Sequence, residues 1–363
     1  MSAPCLISLL RPELAELRAY VPEPGQFAVR LDANEAPPLL SERARARLAE
    51  VAAQTAWERY PDATAQALRE AVAEQCAVTP EEVLVGVGSD ELISLLMTAL
   101  GVARTAAPVA TVLTTTPTFV MYRLSARVRG MRVVEVPLDE QWDLPIASLL
   151  RGLELSQPNL VFIASPNNPT GNLMSRDLLR QVIEAARGAL VVVDEAYVDY
   201  AASDQLELLR DYEHVVVLRT LSKIGFASLR IGWLLARPEL INELNKARLP
   251  YNVNAPSQRL GTLVLTELRA ELQKTIRYVV QERERLVREL DLMTGLEAAP
   301  SDANFLWLRT ERPAGEVFDA LASRGILVRS FHARGGRLGN QIRVTVGSRS
   351  ENDAFLAALR EVT

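Results

Sequence analysis

Val191-Val192-Val193-Asp194-Glu195-Ala196-Tyr197, followed by Val215-Val216-Val217-Leu218-Arg219-Thr220-Leu221-Ser222-Lys223 and then by Arg230, is the stretch whose reading decides the fold. Each aliphatic run has the length and composition of a buried strand, with no polar alternation to suggest an exposed face. Each ends in a chemically loaded group, a carboxylate in the first run and an amine in the second. The chain has only three lysines, Lys223, Lys246 and Lys274, among 40 Lys and Arg residues. A chain that meets nearly all its need for positive charge with arginine, yet keeps a lysine between Ser222 and Ile224, needs an amine that can lose its proton there.

Working outward, other strand runs precede these two: Val83–Val87, Val109–Leu113, Arg132–Val136 and Leu160–Ala164. Helical patterns separate most of them, such as Glu91–Leu100 and Ser175–Arg187. Alternation of this kind predicts an α/β fold with a mostly parallel sheet flanked by helices. Ligands of such sheets gather beyond the carboxyl ends of the strands. Ser89, Phe119, Asn168, Asp194 and Lys223 all fall at those ends. Gly88-Ser89-Asp90 opens a helix directly after a strand, leaving N–H groups able to hold a phosphate. It is not a dinucleotide fingerprint, because Glu91 stands where the third glycine belongs.

The flanks differ in character. Residues 1–40 carry Pro4, Pro12, Pro22, Pro24, Pro37 and Pro38 and read as an extended arm with one short helix near Pro12–Tyr20. Ser41 caps a helix running to about Gln54, and Ala63–Cys76 is a second. A crossing between lobes is expected at Asn252–Pro256, then a long helical stretch over Ser257–Leu290. Beyond residue 296 the strands Phe305–Leu308 and Gln341–Val346, with a helix at Val317–Ser323, predict a smaller α+β lobe. The expected division is therefore arm 1–40, large domain 41–250 and small C-terminal domain 251–363.

Composition narrows the function. The 363 residues are 48% hydrophobic and 23% charged, with a net charge of −5, which speaks against a nucleic-acid partner. Cys5 and Cys76 make no disulfide framework, and His214 and His332 are the only histidines, so no metal is expected. No apolar run approaches a membrane span and the N-terminus lacks a signal-peptide pattern, which points to a cytoplasmic protein without a membrane partner.

A lysine that bonds a carbonyl carbon, an acid for a pyridinium nitrogen and donors for a phosphate are the parts a pyridoxal phosphate site requires. The sequence resembles the fold-type-I pyridoxal-phosphate aminotransferases, and most closely the histidinol-phosphate aminotransferase family. The resemblance rests on Leu31–Glu35, Tyr60-Pro61-Asp62, Gly88–Glu91, Pro117-Thr118-Phe119, Ser165–Gly171, Asp194–Tyr197, Thr220–Lys223, Tyr251–Asn254 and Ile342–Gly347, in the family's order over nearly the whole chain.

That resemblance implies pyridoxal 5'-phosphate as cofactor and a homodimer with shared active sites. Lys223 would hold the cofactor and move the proton, Asp194 would face the ring nitrogen, and Tyr197 and Asn168 would bond the ring oxygen. Phe119 would stack on the ring where the family often has tyrosine. Ser89, Asp90, Thr220, Ser222 and Arg230 would bind the phosphate, joined by Tyr60 of a neighbouring subunit. Arg343 would meet the anionic end of both substrates, with Arg329 as a second cation and Tyr20 and Asn34 closing from the arm. The stretch Phe331–Asn340 departs from the family pattern between the two arginines. The implied reaction moves an amino group between L-histidinol phosphate and 2-oxoglutarate. An aromatic donor, a decarboxylase of phosphorylated amino acids on the same fold, and a non-catalytic sensor of pyridoxal phosphate are the competing readings.

Overall fold

The computed structural model describes residues 9–17, 19, 23–103 and 108–362. Among the described residues, thirteen strands and twelve α-helices form a large lobe, a small lobe and an arm joining them. The arm contributes β1 (Val29–Arg30). The large lobe holds β2 (Val83–Val87), β3 (Thr111–Thr116), β4 (Arg132–Pro137), β5 (Leu160–Ala164), β6 (Leu190–Asp194), β7 (Val215–Thr220) and β8 (Ile231–Leu235). The C-terminal part adds β9 (Leu296–Ala298), β10 (Phe305–Thr310), β11 (Ile326–Leu327), β12 (Arg329–Ser330) and β13 (Gln341–Thr345).

The large sheet has seven strands in the order β2-β8-β7-β6-β5-β3-β4. Neighbours from β7 through β4 pair in parallel, and β8 is antiparallel to both β7 and β2. The strand β8 has no counterpart among the expected strands. It returns directly from the Lys223 turn and so needs no crossover helix. The near-continuous aliphatic runs are explained by burial on both faces. Val191, Val193, Val215 and Val217 face one core cluster. Leu190, Val192, Val216 and Leu218 face the other. This alternation sends Asp194 towards the face that carries Leu92 and Tyr122, and Glu195 towards the opposite one.

Small corrections to the expected elements follow from local chemistry. The helix expected near Pro12–Tyr20 is a 3₁₀ turn at Pro12–Glu16; Tyr20 lies outside the described residues. The helix expected from Glu91 begins at Gly88, because the Glu91 carboxylate turns back to accept from the Val87 N–H at 2.6 Å. The long stretch Ser257–Leu290 is two helices, Ala255–Leu265 and Arg269–Leu290, the first capped by the Asn254 side chain. Gly261 in the first packs so closely on Ile231 and Leu68 that an added Cβ would lie 2.3 Å from the Ile231 Cδ1.

The small lobe is an antiparallel sheet, β12-β13-β10-β9, covered by the helices Ala314–Ser323 and Arg349–Val362. The arm is stitched to it, since β1 pairs in parallel with β11. The atypical stretch 331–340 forms two short 3₁₀ turns. From it Arg337 reaches the large lobe, lying 3.7 Å over the Trp142 ring and donating to the Leu138 carbonyl at 2.9 Å.

Candidate active site

Five strand ends and their loops converge on one cavity. Its lining includes Ser89, Asp90, Phe119, Asn168, Asp194, Tyr197, Thr220, Ser222, Lys223 and Arg230. Every residue expected at the cofactor is therefore brought to one place within this chain, except Tyr60. Tyr60 is 82% exposed and stacks on Tyr251, ring centroids 4.7 Å apart, away from the cavity.

The register of the sheet sets side by side the two strand ends that deliver the acid and the amine. Asp194 is the Cα partner of Leu218, and the chain from β7 turns at once into the 3₁₀ segment Leu221–Lys223. That turn is pinned from outside: the Tyr200 hydroxyl donates to the Lys223 carbonyl at 2.6 Å. The Lys223 ammonium lies 5.8 Å from the centre of the Tyr197 ring. Asp194 is 3% exposed. Burial pushes its carboxyl up to about 6, against the pull of the Tyr122 hydroxyl and the Ala196 N–H, and of the Lys223 charge.

Tyr122 was not anticipated from the sequence. It is fully buried and donates to Asp194 Oδ2 at 2.6 Å, while the Ala196 N–H donates to Oδ1 at 3.1 Å. The available signal was its position three residues past Phe119, which caps the helix Val120–Val128 and puts Tyr122 one turn on. Glu195 and Arg219 were likewise missed. Arg219 grips the buried Glu195 carboxylate at 2.7 Å, and the Glu195 N–H donates to the Leu218 carbonyl at 2.8 Å. This ties the ends of β6 and β7 together behind the cavity.

Opposite lies an anion cradle. Gly88, at φ +73°, starts the helix, and its N–H donates to the Arg230 carbonyl at 2.9 Å. The Thr220 hydroxyl donates to the Ile231 carbonyl and accepts from the Ser222 N–H at 3.1 Å. Arg230 Nη1 stands 3.4 Å from the Ser222 hydroxyl and Nη2 3.6 Å from Asp90. No side chain can enter this cradle. A Cβ on Gly88 would meet the Arg230 guanidinium at 2.8 Å, and one on Gly232 would meet the Ser89 nitrogen at 2.5 Å. A helix N-terminus, the Ser222 hydroxyl and a guanidinium suit a phosphate. The buried acid and the amine suit the two ends of a pyridine aldehyde. The residues present therefore fit pyridoxal phosphate.

Two polar residues are pre-aimed by their partners. Asn34, from the arm, is 1% exposed and donates its side-chain amide to the Tyr197 oxygen at 2.9 Å. The Tyr197 proton is thereby left to donate elsewhere. Arg343 donates to Asn168 Oδ1 at 2.6 Å, and also to the Asp32 carbonyl. The Asn168 amide group is thereby left for the cavity. Neither Asn34 nor Arg343 lines the cavity itself. Arg329 faces Arg343 across the β12–β13 pair and is exposed. Asn167, next door, is wholly buried and spends its side chain on Thr118, Pro117 and Thr170.

Comparison with known proteins agrees with this geometry. The family model "Aminotransferase class I and II" matches residues 28–359. A histidinol-phosphate aminotransferase of Aquifex aeolicus is 41% identical over 353 residues, covering 97% of this chain and 98% of the relative. Histidinol-phosphate aminotransferase 2 of Nitrosococcus oceani is 40% identical, covering 97% of this chain and 96% of the relative. The crystal structure of the Sinorhizobium meliloti histidinol-phosphate aminotransferase in complex with pyridoxal-5'-phosphate superposes with a TM-score of 0.85 at 26% identity, covering 98% of this chain and 97% of that one. An L-threonine-O-3-phosphate decarboxylase of Porphyromonas gingivalis, 21% identical with a TM-score of 0.76 and covering 92% of this chain and 98% of that one, shares the fold. The chain belongs to the class I and II aminotransferase family and is a pyridoxal-phosphate-dependent aminotransferase.

Proposed function

We propose that the enzyme moves an amino group between L-histidinol phosphate and 2-oxoglutarate in histidine biosynthesis. The observation that carries this reading is the set of relatives above, alike over nearly their full length, combined with an acid, an amine and an anion cradle around one cavity. The decarboxylase reading has only the shared fold in its favour.

When bound, pyridoxal phosphate supplies a ring that accepts electrons from the substrate carbon. The rest falls to this chain. Asp194, turned by Tyr122 and Ala196, offers a carboxylate to the ring nitrogen. Lys223 Nζ takes the proton from the substrate carbon that bears the amine, and its backbone anchor on Tyr200 limits the lysine to one arc. Tyr197 donates to the ring oxygen because Asn34 already occupies one of its lone pairs. Asn168 is aimed by Arg343 to do the same. Phe119 stacks on the ring, and Ser89, Asp90, Thr220, Ser222 and Arg230 hold the phosphate. Arg343, with Arg329 behind it, meets an anionic group of each substrate in turn, and Tyr20 and Asn34 on the arm close over it.

The same reading makes the working unit a cytoplasmic homodimer of arm 1–40, large domain 41–250 and small domain 251–363. Trp57 at 72% exposed, Tyr60 at 82% and Leu249 at 72% are large apolar side chains left in the open on the monomer, which supports a partner subunit there. Tyr60 would then serve the partner's phosphate cradle. Among the described residues no helix is long and apolar enough to cross a membrane.

The test is a half-reaction screen. Purified holoenzyme is given one amine at a time while the cofactor's visible absorption is followed. Rapid loss of the band with histidinol phosphate, and slow loss with phenylalanine, is expected; the reverse order would replace this donor with an aromatic one.

A further inference from the structure

Asn34 uses every polar group it has. Its backbone lies in the left-handed region, at φ +56°, which asparagine tolerates better than most residues. Its N–H donates to the Thr345 hydroxyl at 3.0 Å, and its carbonyl accepts from the Asn304 amide at 2.9 Å. In the side chain, Oδ1 accepts from the Thr345 hydroxyl at 3.2 Å while Nδ2 donates to the Tyr197 oxygen at 2.9 Å. One hydroxyl of the small lobe thus holds the arm residue twice, on the side away from Tyr197.

That hydroxyl decides which way the Asn34 amide faces. A hydroxyl has a single proton to give. Turned over, the amide would offer Thr345 an N–H in place of Oδ1. The hydroxyl proton would then lack an acceptor in a residue only 2% exposed, because Oδ1 is the one it has among the described residues. A buried donor left without a partner disfavours the turned state roughly ten- to a hundredfold. In the favoured state Nδ2 faces Tyr197, the phenol oxygen accepts, and the phenol proton is left for the cavity. In the turned state Oδ1 would take that proton instead. Thr345 itself stands on the same face of β13 as Arg343, two residues away. Arg343 bonds Asn168 Oδ1 and so leaves the Asn168 amide N–H groups for the cavity. Thr345 does the same for Tyr197 at one remove, so a single small-lobe strand orients both donors assigned to the ring oxygen.

We propose that Thr345 is a positioning residue: its hydroxyl fixes the Asn34 amide so that Tyr197 presents its proton to the ring oxygen of the cofactor. This rests on the reading given above that Tyr197 donates to that oxygen. A donated proton stabilises negative charge on the ring oxygen, so the neighbouring proton, on the nitrogen through which Lys223 holds the cofactor, is released at a lower pH. Loss of the Thr345 hydroxyl frees the amide to turn, withdraws the phenol proton and moves that release upward.

The test follows the visible absorption band of full-length holoenzyme across pH, with no substrate present, in Thr345→Val, Thr345→Ser and Tyr197→Phe. Valine keeps the shape of threonine and removes the hydroxyl; serine keeps the hydroxyl. The pH midpoint of the band should rise by about one unit in Thr345→Val, the equivalent of a tenfold bias. It should rise in Tyr197→Phe as well and stay at the parent value in Thr345→Ser. Adding Thr345→Val to Tyr197→Phe should move it no further, since the phenol through which Thr345 acts is gone. A parent-like midpoint in Thr345→Val, a serine variant that behaves as the valine one, or an equal further rise on the Tyr197→Phe background overturns the role of Thr345. If Tyr197→Phe itself leaves the midpoint unmoved, the reading of Tyr197 has failed and the proposal falls with it. Thermal melts report folding separately, and if Thr345→Val does not fold, Thr345→Ala is read in its place.

Discussion

The Tyr122 hydroxyl lies 2.6 Å from Asp194 Oδ2, and both residues are buried in the cavity wall. A carboxyl raised to about 6 by burial is still mostly ionised at pH 7 but loses its charge just below, and the phenol works against that rise. Tyr122→Phe removes a donor to a charged group at a cost of about 1.5–3 kcal/mol. We therefore expect cofactor affinity at pH 7 to fall at least tenfold, and the pH midpoint for cofactor retention to move upward. Equilibrium dialysis of the cofactor across pH, for both proteins, reads the effect. A retained midpoint would mean that the hydroxyl only fills space.

The same acid should govern the stability of the cofactor-free protein. The folded carboxyl titrates near 6 and the unfolded one near 3.8, so the folded state binds the proton more tightly. The corresponding stability is fully present below pH 3.8 and lost as pH rises through 6. The size is on the order of 2–3 kcal/mol. Asp194→Asn should abolish this part of the pH dependence and leave the apo protein more stable than the parent at pH 7. Denaturant melts of both apo proteins at several pH values give the comparison.

Lys223→Ala should retain the fold, since the turn is held through the lysine carbonyl rather than its amine. Turnover should drop by a factor on the order of 10²–10⁴ or more. Borohydride should no longer fix the cofactor to the protein, as mass spectrometry of the intact chain would show. Undiminished transamination would assign the proton transfer to another residue.

Gly232→Ala drives a methyl group into the Ser89 nitrogen, 2.5 Å away, and into the Gly88 carbonyl carbon, 2.6 Å away. Backbone cannot yield as a side-chain tip can, so the helix N-terminus must shift away from β8. The expected cost in stability is about 1–3 kcal/mol. Cofactor binding should also weaken, because the displaced N–H groups belong to the cradle. Thermal melts with and without cofactor would separate the two losses.

Asn34→Ala tests whether the arm tunes the phenol. Without the amide donor at 2.9 Å, Tyr197 can rotate its proton away from the cavity. The visible band of the holoenzyme should shift in its pH titration, with little change in the circular dichroism of the fold. An identical titration curve would leave Asn34 with packing alone.

The amino-acid sequence determined the alternation of strands and helices, because an unbroken aliphatic run can be buried on both faces only in a layered α/β sheet. It also determined which residues stand at the strand ends: Asp194, Lys223, Asn168, Phe119 and the Gly88 turn. Local pattern carries those, since each is adjacent to a strand signal. The antiparallel β8, the partnership of Tyr122 with Asp194 and the Arg219–Glu195 tie were decided by the tertiary structure. Contacts between residues 24 and 72 positions apart leave no trace in local periodicity. Asn34 could be placed on the arm from its motif, but its bond to Tyr197, 163 residues away, exists only because β1 pairs with β11 and lays the arm over the cavity.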